Sequence, residues 1–217
     1  RRSKRPLTMD SFLNHEQILG LERRFQTALI NSLSGIRTSF IGITGEHGQW
    51  NASTLSNITH VGANPPQISV LFRPQSAKKH TLKNYREFGT ITLVCMPFHK
   101  FETVHRVSVN APKDVFELAL LGEQVQKLEG WQHPIPNDFL YAIEVNLVEE
   151  FTLGNQCIYT VGSIHQLRWS KNVRVNKNGQ VIFQQSPTLA IGLQQYTSIE
   201  TESKHLPYPS VDNFQFE

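Results

Sequence analysis

The apolar residues near the start of the chain recur with the period of a helix. Within residues 16–31, five apolar side chains stand three or four positions apart, which is the stripe of an amphipathic helix. They are Ile18, Leu21, Phe25, Ala28 and Leu29. Because one face of this helix is apolar, we expect it to pack on a sheet or on a partner subunit.

Most of the remaining apolar positions form short runs rich in β-branched residues, which predict strands. Turn sequences separate several of these runs: GEHG at 45–48, GN at 154–155 and NG at 178–179. The predicted strands cover 40–43, 49–58, 67–74 and 90–97, one segment on each side of the GN turn within 139–170, and a hairpin at 173–183. A helix is predicted at 79–87, and one or two short helices at 112–130, where Gly122 interrupts the pattern.

The order of these elements favours one fold class. The strands follow one another at short intervals and are mostly joined by hairpins, and the helices are inserted rather than alternating with strands. This arrangement predicts a mainly β protein, an antiparallel barrel with inserted helices, and disfavours a doubly wound α/β fold. We expect one domain at 16–200, with a basic and polar tail at 1–15 and a polar tail at 201–217.

Composition and charge argue against several classes of function. Hydrophobic residues make up 39% of the chain and charged residues 18%, and no apolar run approaches the roughly 20 residues of a membrane span. The formal charge is +3 and basic residues are concentrated at 1–5, so neither a membrane nor a nucleic acid is predicted as a partner. Cys95 and Cys157 lie in apolar runs and are expected to be buried, reduced thiols, which favours a cytoplasmic location.

The sequence contains none of the common short catalytic motifs. It has no G-x-S-x-G, H-E-x-x-H or C-x-x-C, and neither a P-loop nor a G-x-G-x-x-G turn. Its nine histidines are scattered without the spacing of metal ligands, so no metal site is predicted.

Two polar segments remain as candidates for a binding site. Short hydroxyl and amide side chains crowd the second half of the predicted 40–58 hairpin, and cations mark the passage from a strand to a helix N-terminus at 72–84, which favours anions. Together they would suit a ligand with a phosphate and a polar ring edge. Polar edge strands also occur without a ligand, so the residues alone leave both interpretations open. The residues are Asn51, Ser53, Thr54, Ser56, Asn57 and Thr59 in the first segment and Arg73, Lys78, Lys79 and Thr81 in the second.

Five segments, in this order, resemble the flavin reductase-like, FMN-binding split-barrel family. They are INSLSGIRTSFIGI, NASTLSNITHVGANPPQISVLFRP, KKHTLKNYREFGTITLV, HRVSVNAPKDVFEL and CIYTVGSIHQL. In that family a hairpin and a strand of small polar residues run into a Pro-Pro pair, a further strand and a T-x-x-N helix. The resemblance covers about residues 25–200.

The resemblance implies a homodimer of six-stranded antiparallel Greek-key barrels, with FMN in a groove at or near the subunit interface. The flavin ring would lie against the small polar strand, and the phosphate or ribityl chain against the start of the following helix. The implied ring-edge residues are Thr54, Leu55, Ser56 and Asn57, and the implied phosphate or ribityl residues are Arg73, Ser76, Lys79 and Thr81. His105 is a candidate contact on the substrate side, and His60, His105 and Trp169 stay open as residues that cover the exposed flavin face.

The activity implied by the resemblance is that of an FMN-dependent oxidoreductase, an NAD(P)H:flavin reductase that passes electrons to a small-molecule acceptor. The alternative is a flavin-binding protein without turnover, a store or a sensor, and a barrel without flavin stays a third possibility. The sequence does not choose between NADH and NADPH. Leu55, Asn57 and Ile58 depart from the aromatic residue and second serine that the closest members of the family often have, so we expect a different substrate preference.

Overall fold

The computed structural model describes residues 12–74, 80–109 and 111–199. Its architecture is mainly β, as predicted. No helix within these ranges is long and apolar enough to cross a membrane. The predicted tails at 1–15 and 201–217 lie outside them except for 12–15, so the predicted domain boundaries stay predictions.

The first helical segment is divided in two, so the prediction of one continuous helix at 16–31 is wrong. Gly20 ends the first helix, with its N–H donating to Glu16 O. The carboxylate of Glu22 then caps a second helix by accepting from Phe25 N. The helices are α1 (His15–Leu19), α2 (Arg23–Leu33), α3 (His80–Phe88), α4 (Phe101–Arg106, after a 3₁₀ turn at Phe98–Lys100) and α5 (Glu117–Leu120).

The strands confirm the predicted runs and add short ones that the sequence pattern missed. The additions include the short strand before the first predicted hairpin and two strands near the end of the described chain. The strands are β1 (Ile36–Thr38), β2 (Phe40–Glu46), β3 (Gln49–Leu55), β4 (Ile58–Ala63), β5 (Pro66–Phe72), β6 (Thr90–Cys95), β7 (Val125–Gln126), β8 (Ile135–Pro136), β9 (Tyr141–Thr152), β10 (Ile158–Trp169), β11 (Val173–Val175), β12 (Val181–Phe183), β13 (Leu189–Ile191) and β14 (Gln195–Thr197).

One antiparallel sheet of seven strands dominates the fold. Its order is β3-β2-β6-β9-β10-β5-β4, so consecutive strands β3 and β4 form its two opposite edges and are joined only through Ser56 and Asn57. The expected number of barrel strands was six, and the difference arises because the predicted strand at 49–58 continues past this joint as a second strand.

The central strands are buried on both faces, and this fixes the helices around the sheet. Phe40 of β2 lies in one apolar cluster with Tyr85 of α3. Its neighbour Ile41 points to the opposite face, where it joins a second cluster with Val104 of α4 and Leu118 of α5. The two clusters therefore hold α3 on one side of the sheet and α4 and α5 on the other.

Both cysteines are buried free thiols, as predicted. Burial raises the pKa of the Cys95 thiol to about 12. A neutral thiol of this kind behaves as a small apolar side chain rather than as a nucleophile.

The buried imidazole of His133 gives a prediction for stability against acid. His133 has no exposed surface, its Nδ1 lies 2.9 Å from Thr92 Oγ1, and burial lowers its pKa from 6.5 to about 4. The unfolded chain binds a proton on His133 more tightly than the folded chain does. The free energy of unfolding therefore decreases as the pH falls from 6.5 toward 4, at up to about 1.4 kcal/mol per pH unit. Urea unfolding of the wild type and His133→Gln between pH 7 and pH 4 should give a shallower pH dependence for the variant. Parallel curves would contradict this account.

Candidate functional site

A cleft of about 280 Å³ opens along the outer edge of β3, and helices α3 and α4 flank it. Among the predicted site residues alone, it brings together residues as far apart in the chain as Thr54 and His105, which are separated by 51 positions. Seven of those residues line it: Thr54, Leu55, Ser56, Asn57, Arg73, Thr81 and His105. The predicted phosphate residues Ser76 and Lys79 lie outside the described residues.

The outer edge of β3 supplies main-chain groups to the cleft. Antiparallel pairing alternates, so every second residue of an edge strand turns its N–H and C=O away from its neighbour. Ala52 is such a residue, since its N–H donates to a carboxylate rather than to β2. By the same alternation the N–H and C=O of Thr54 face the cleft. The Thr54 hydroxyl donates to Val104 O of α4, which ties this wall of the cleft to the helix.

Leu55 lines the cleft, but its side chain belongs to the core. Its side chain packs on the apolar cluster of α3 and covers Gly42 of β2. A Cβ at Gly42 would overlap the Leu55 side chain, so the glycine makes room for it. The departure from the family pattern at this position is therefore accommodated in the core.

The joint between β3 and β4 is held by hydrogen bonds to Asn57. Its main-chain oxygen accepts from Leu71 N at 2.9 Å, and its Oδ1 accepts from Arg37 Nη1 at 3.0 Å. The same guanidinium donates to Ser34 Oγ at 2.9 Å, at the end of α2. Because Arg37 takes the amide oxygen, Asn57 turns its Nδ2 donor away from Arg37.

The part of the cleft at the start of α3 is suited to an anion. Helix α3 begins there with His80 and Thr81, and the first N–H groups of a helix have no partner within it. Arg73 also lines the cleft and is anchored by donating from Nη2 to Asn31 Oδ1 at 2.8 Å. Cations and the N–H groups of a helix start together are typical of a phosphate site.

A buried carboxylate that sequence reasoning missed closes the inner wall. Glu117 of α5 is 2% exposed and accepts from Ala52 N and from Asn51 Nδ2, both at 2.7 Å. Burial raises its pKa, and the two hydrogen bonds and the charge of His80 oppose that shift. The only sequence signal was an acid between apolar Phe116 and Leu118, and its partners are 65 and 66 positions away.

His105 forms a pair with a second residue that the sequence did not reveal. Its Nδ1 lies 3.1 Å from the hydroxyl of Tyr196, and the two rings meet edge to face with centroids 5.6 Å apart. Both residues line the cleft, whereas His60 and Trp169 lie on β4 and at the end of β10 and are not among its lining residues. Of the three residues predicted as candidates for covering a ligand face, His105 is the one that lines the cleft within the described chain, and its role there stays a prediction.

Among known proteins, the chain is similar to several solved structures. No protein-family model matches the chain, and no curated protein matches it significantly. A split-barrel protein from Shewanella frigidimarina assigned as a flavin reductase is 27% identical, with a TM-score of 0.84 over 92% of this chain and 100% of that one.

Two further solved structures share the fold at lower identity. The 2-nitrobenzoate 2-nitroreductase of Pseudomonas fluorescens has a TM-score of 0.75 and 18% identity over 93% of this chain and 98% of that one. An FMN-binding protein from Thermus thermophilus has a TM-score of 0.65 and 17% identity over 79% and 91%. The split-barrel fold predicted from the sequence is confirmed.

Proposed function

We propose that this chain, which belongs by its fold to the flavin reductase-like split-barrel family, is an FMN-dependent oxidoreductase of the NAD(P)H:flavin reductase type. One observation carries the proposal. A single cleft joins a hydrogen-bonding strand edge to Arg73 and to the start of α3, in a chain 27% identical to a protein assigned as a flavin reductase.

The donors and acceptors of the cleft fit a phosphorylated planar heterocycle. In β3 the main chain of Thr54 offers one donor and one acceptor. Asn57 Nδ2 adds a donor at the joint between β3 and β4. The isoalloxazine ring carries acceptors on the same edge as its one imide N–H, so a mixed set of this kind can pair with it. The first turn of α3 and Arg73, which also line the cleft, supply the positive potential that a phosphate needs.

The chemistry would come from the cofactor: bound FMN can take a hydride from NADH or NADPH and hand electrons to a small-molecule acceptor. The chain's own residues bind, orient and exclude water. His105 and Tyr196 stand at the cleft, where they can contact the substrate that approaches the ring. Both cysteines are buried free thiols, which supports a reducing, cytoplasmic setting for this reaction.

We further propose a homodimer whose interface lies near the cleft. Neither α1 nor α2 buries a residue within the described chain, although both carry large apolar side chains. Leu33 of α2 is 73% exposed and Ile36 of β1 is 61% exposed, a level typical of surfaces that another protein covers. Asn31 of α2 also anchors Arg73 at the cleft, so a partner on this face would adjoin the proposed site.

The proposed function predicts flavin binding and turnover. Purified protein should quench FMN fluorescence on titration and oxidise NADH or NADPH when FMN is present.

Ser56→Leu should weaken FMN binding about tenfold or more with an unchanged circular dichroism spectrum, because the larger side chain enters the ring-edge part of the cleft. Thr59→Leu, on exposed β4 outside the cleft, is the matched control. Absence of FMN binding would refute the proposal, and binding without oxidation of either nucleotide would leave a flavin carrier.

The dimer proposal predicts a mass of about twice the chain's 24.8 kDa in sedimentation equilibrium. Replacing Ile30 and Leu33 together by glutamate should yield a folded monomer, because charge cannot be buried at an apolar interface without a partner. Val125→Glu, on exposed β7, should leave the mass unchanged. A wild-type monomer that still binds FMN would rule out a site that depends on the interface.

A further inference from the structure

A second cavity, of about 870 Å³, lies between helix α2 and the hairpin formed by β13 and β14. The helix supplies one wall, and the hairpin with its turn supplies the other. We call this cavity the α2 groove. Its lining residues are Arg23, Arg24, Thr27, Ala28 and Ser32 from α2, and Ile191, Leu193, Gln194 and Gln195 from the hairpin.

The α2 groove adjoins the cleft that we assign to FMN. Leu193 lines both cavities. Beside it, Gly192 lines the cleft and lies against Ser32 of the groove, since a Cβ at Gly192 would stand 2.7 Å from Ser32 Oγ. Helix and hairpin therefore approach each other closely where the two cavities meet, and the groove continues from there along α2 toward the start of the helix.

The junction of the two cavities lies near a residue implied for the flavin ring. Asn57 Oδ1 accepts from Arg37 Nη1, and the same guanidinium donates to Ser34 Oγ at the C-terminal end of α2. Ser32 of the groove stands two residues before Ser34. A ligand that contacts the ring in the cleft can therefore extend past Leu193 into the α2 groove.

The far part of the α2 groove is cationic. Arg23 and Arg24 are exposed, and neither guanidinium has a hydrogen bond or an ion pair among the residues that the structure describes. No acidic residue is among the described residues that line the groove. The Glu22 carboxylate already accepts from Phe25 N at the helix start, so an anion in the groove would bind the two guanidinium groups. Guanidinium groups are well suited to phosphate, to which they can donate two parallel hydrogen bonds.

The length of the groove fits one half of a nicotinamide dinucleotide. Ser32 and Arg23 are nine residues apart on α2, which corresponds to about 14 Å along the helix axis. In NADPH two riboses and a diphosphate separate the nicotinamide from the 2′-phosphate of the adenosine, so the molecule can span this distance. NADH has the same backbone but lacks the 2′-phosphate. Only NADPH would therefore bring a phosphate monoester to Arg23 and Arg24.

We propose that the α2 groove binds the adenosine half of NADPH, that Arg23 and Arg24 bind its 2′-phosphate, and that the protein therefore prefers NADPH to NADH. The inference rests on the proposed function and adds the choice of nucleotide. The nicotinamide would lie in the cleft beside the flavin ring, and the rest of the dinucleotide would pass Leu193 into the groove.

The test is steady-state oxidation of NADPH and NADH by the full chain with saturating FMN. Wild type should have a kcat/KM at least about tenfold higher for NADPH, the scale of one hydrogen bond to a charged group. Replacing Arg23 and Arg24 together by glutamine should bring the ratio of the two kcat/KM values close to one. The circular dichroism spectrum should not change, because both side chains are exposed.

A matched control removes the same amount of charge elsewhere. Arg168→Gln combined with Lys177→Gln replaces two exposed cations that do not line either cavity, and this variant should keep the wild-type ratio. Adenosine 2′-monophosphate, which carries the proposed group without a nicotinamide, should inhibit wild type competitively against NADPH. Its inhibition constant should rise about tenfold in the variant without Arg23 and Arg24 and stay unchanged in the control.

The outcomes separate this inference from the proposed function. If wild type oxidises both nucleotides with FMN but does not prefer NADPH, the groove assignment is refuted and the flavin reductase stands. The same holds if the variant without Arg23 and Arg24 keeps the preference or the wild-type inhibition constant. If wild type oxidises neither nucleotide, the proposed function is refuted and the groove assignment with it.

Discussion

An edge strand with unpaired main-chain groups is the constraint on which the site depends. Strand β3 has a neighbour on one side only, and an exposed edge of this kind is costly to bury and prone to pairing with other chains. Here two side-chain hydrogen bonds involve this edge strand. The carboxylate of Glu117 takes the N–H of Ala52, and the hydroxyl of Thr54 holds the strand to Val104. What is left of the edge lines a cleft that suits a ring able to pair with the strand's remaining groups.

The two-sided core explains why this edge lies beside a helix N-terminus. Adjacent residues of β2 point to opposite faces, and each face collects a different helix, α3 on one side and α4 with α5 on the other. The cleft between them therefore has the positive end of α3 on the side of one cluster and the carboxylate of Glu117 in α5 on the side of the other. Thr81 and Glu117 both reach Asn51, so the two halves of the core meet at a single amide.

Local pattern predicted the strands and the polar part of β3 that lines the cleft, because both depend on consecutive residues. The runs at 40–46 and 90–95 are β-branched and bounded by turns, and the polar residues of β3 and its joint to β4 stand side by side in the chain. The break between α1 and α2 was missed because the stripe of apolar residues continues across it. Glu22 caps α2 through its side chain, and the spacing of apolar residues does not show such a cap.

The missed parts of the site depend on contacts between distant segments. Glu117 meets its partners 65 and 66 positions away, and Tyr196 reaches His105 across 91, so no local spacing could reveal either pair. Alternation does predict that Ser53 and Thr54 face opposite sides of β3. It cannot tell that α3 covers one side and α4 the other, and hence that Ser53 contacts Thr81 while Thr54 donates to a helix carbonyl.

Hydrogen–deuterium exchange with and without FMN tests the central claim that the free edge of β3 and the start of α3 form one flavin site. The account predicts that FMN slows exchange of the amides at 52–57 and at the first turn of α3, with the Thr54 amide among the protected ones. Protection confined to other strands, with 52–57 exchanging as fast as before, would contradict it.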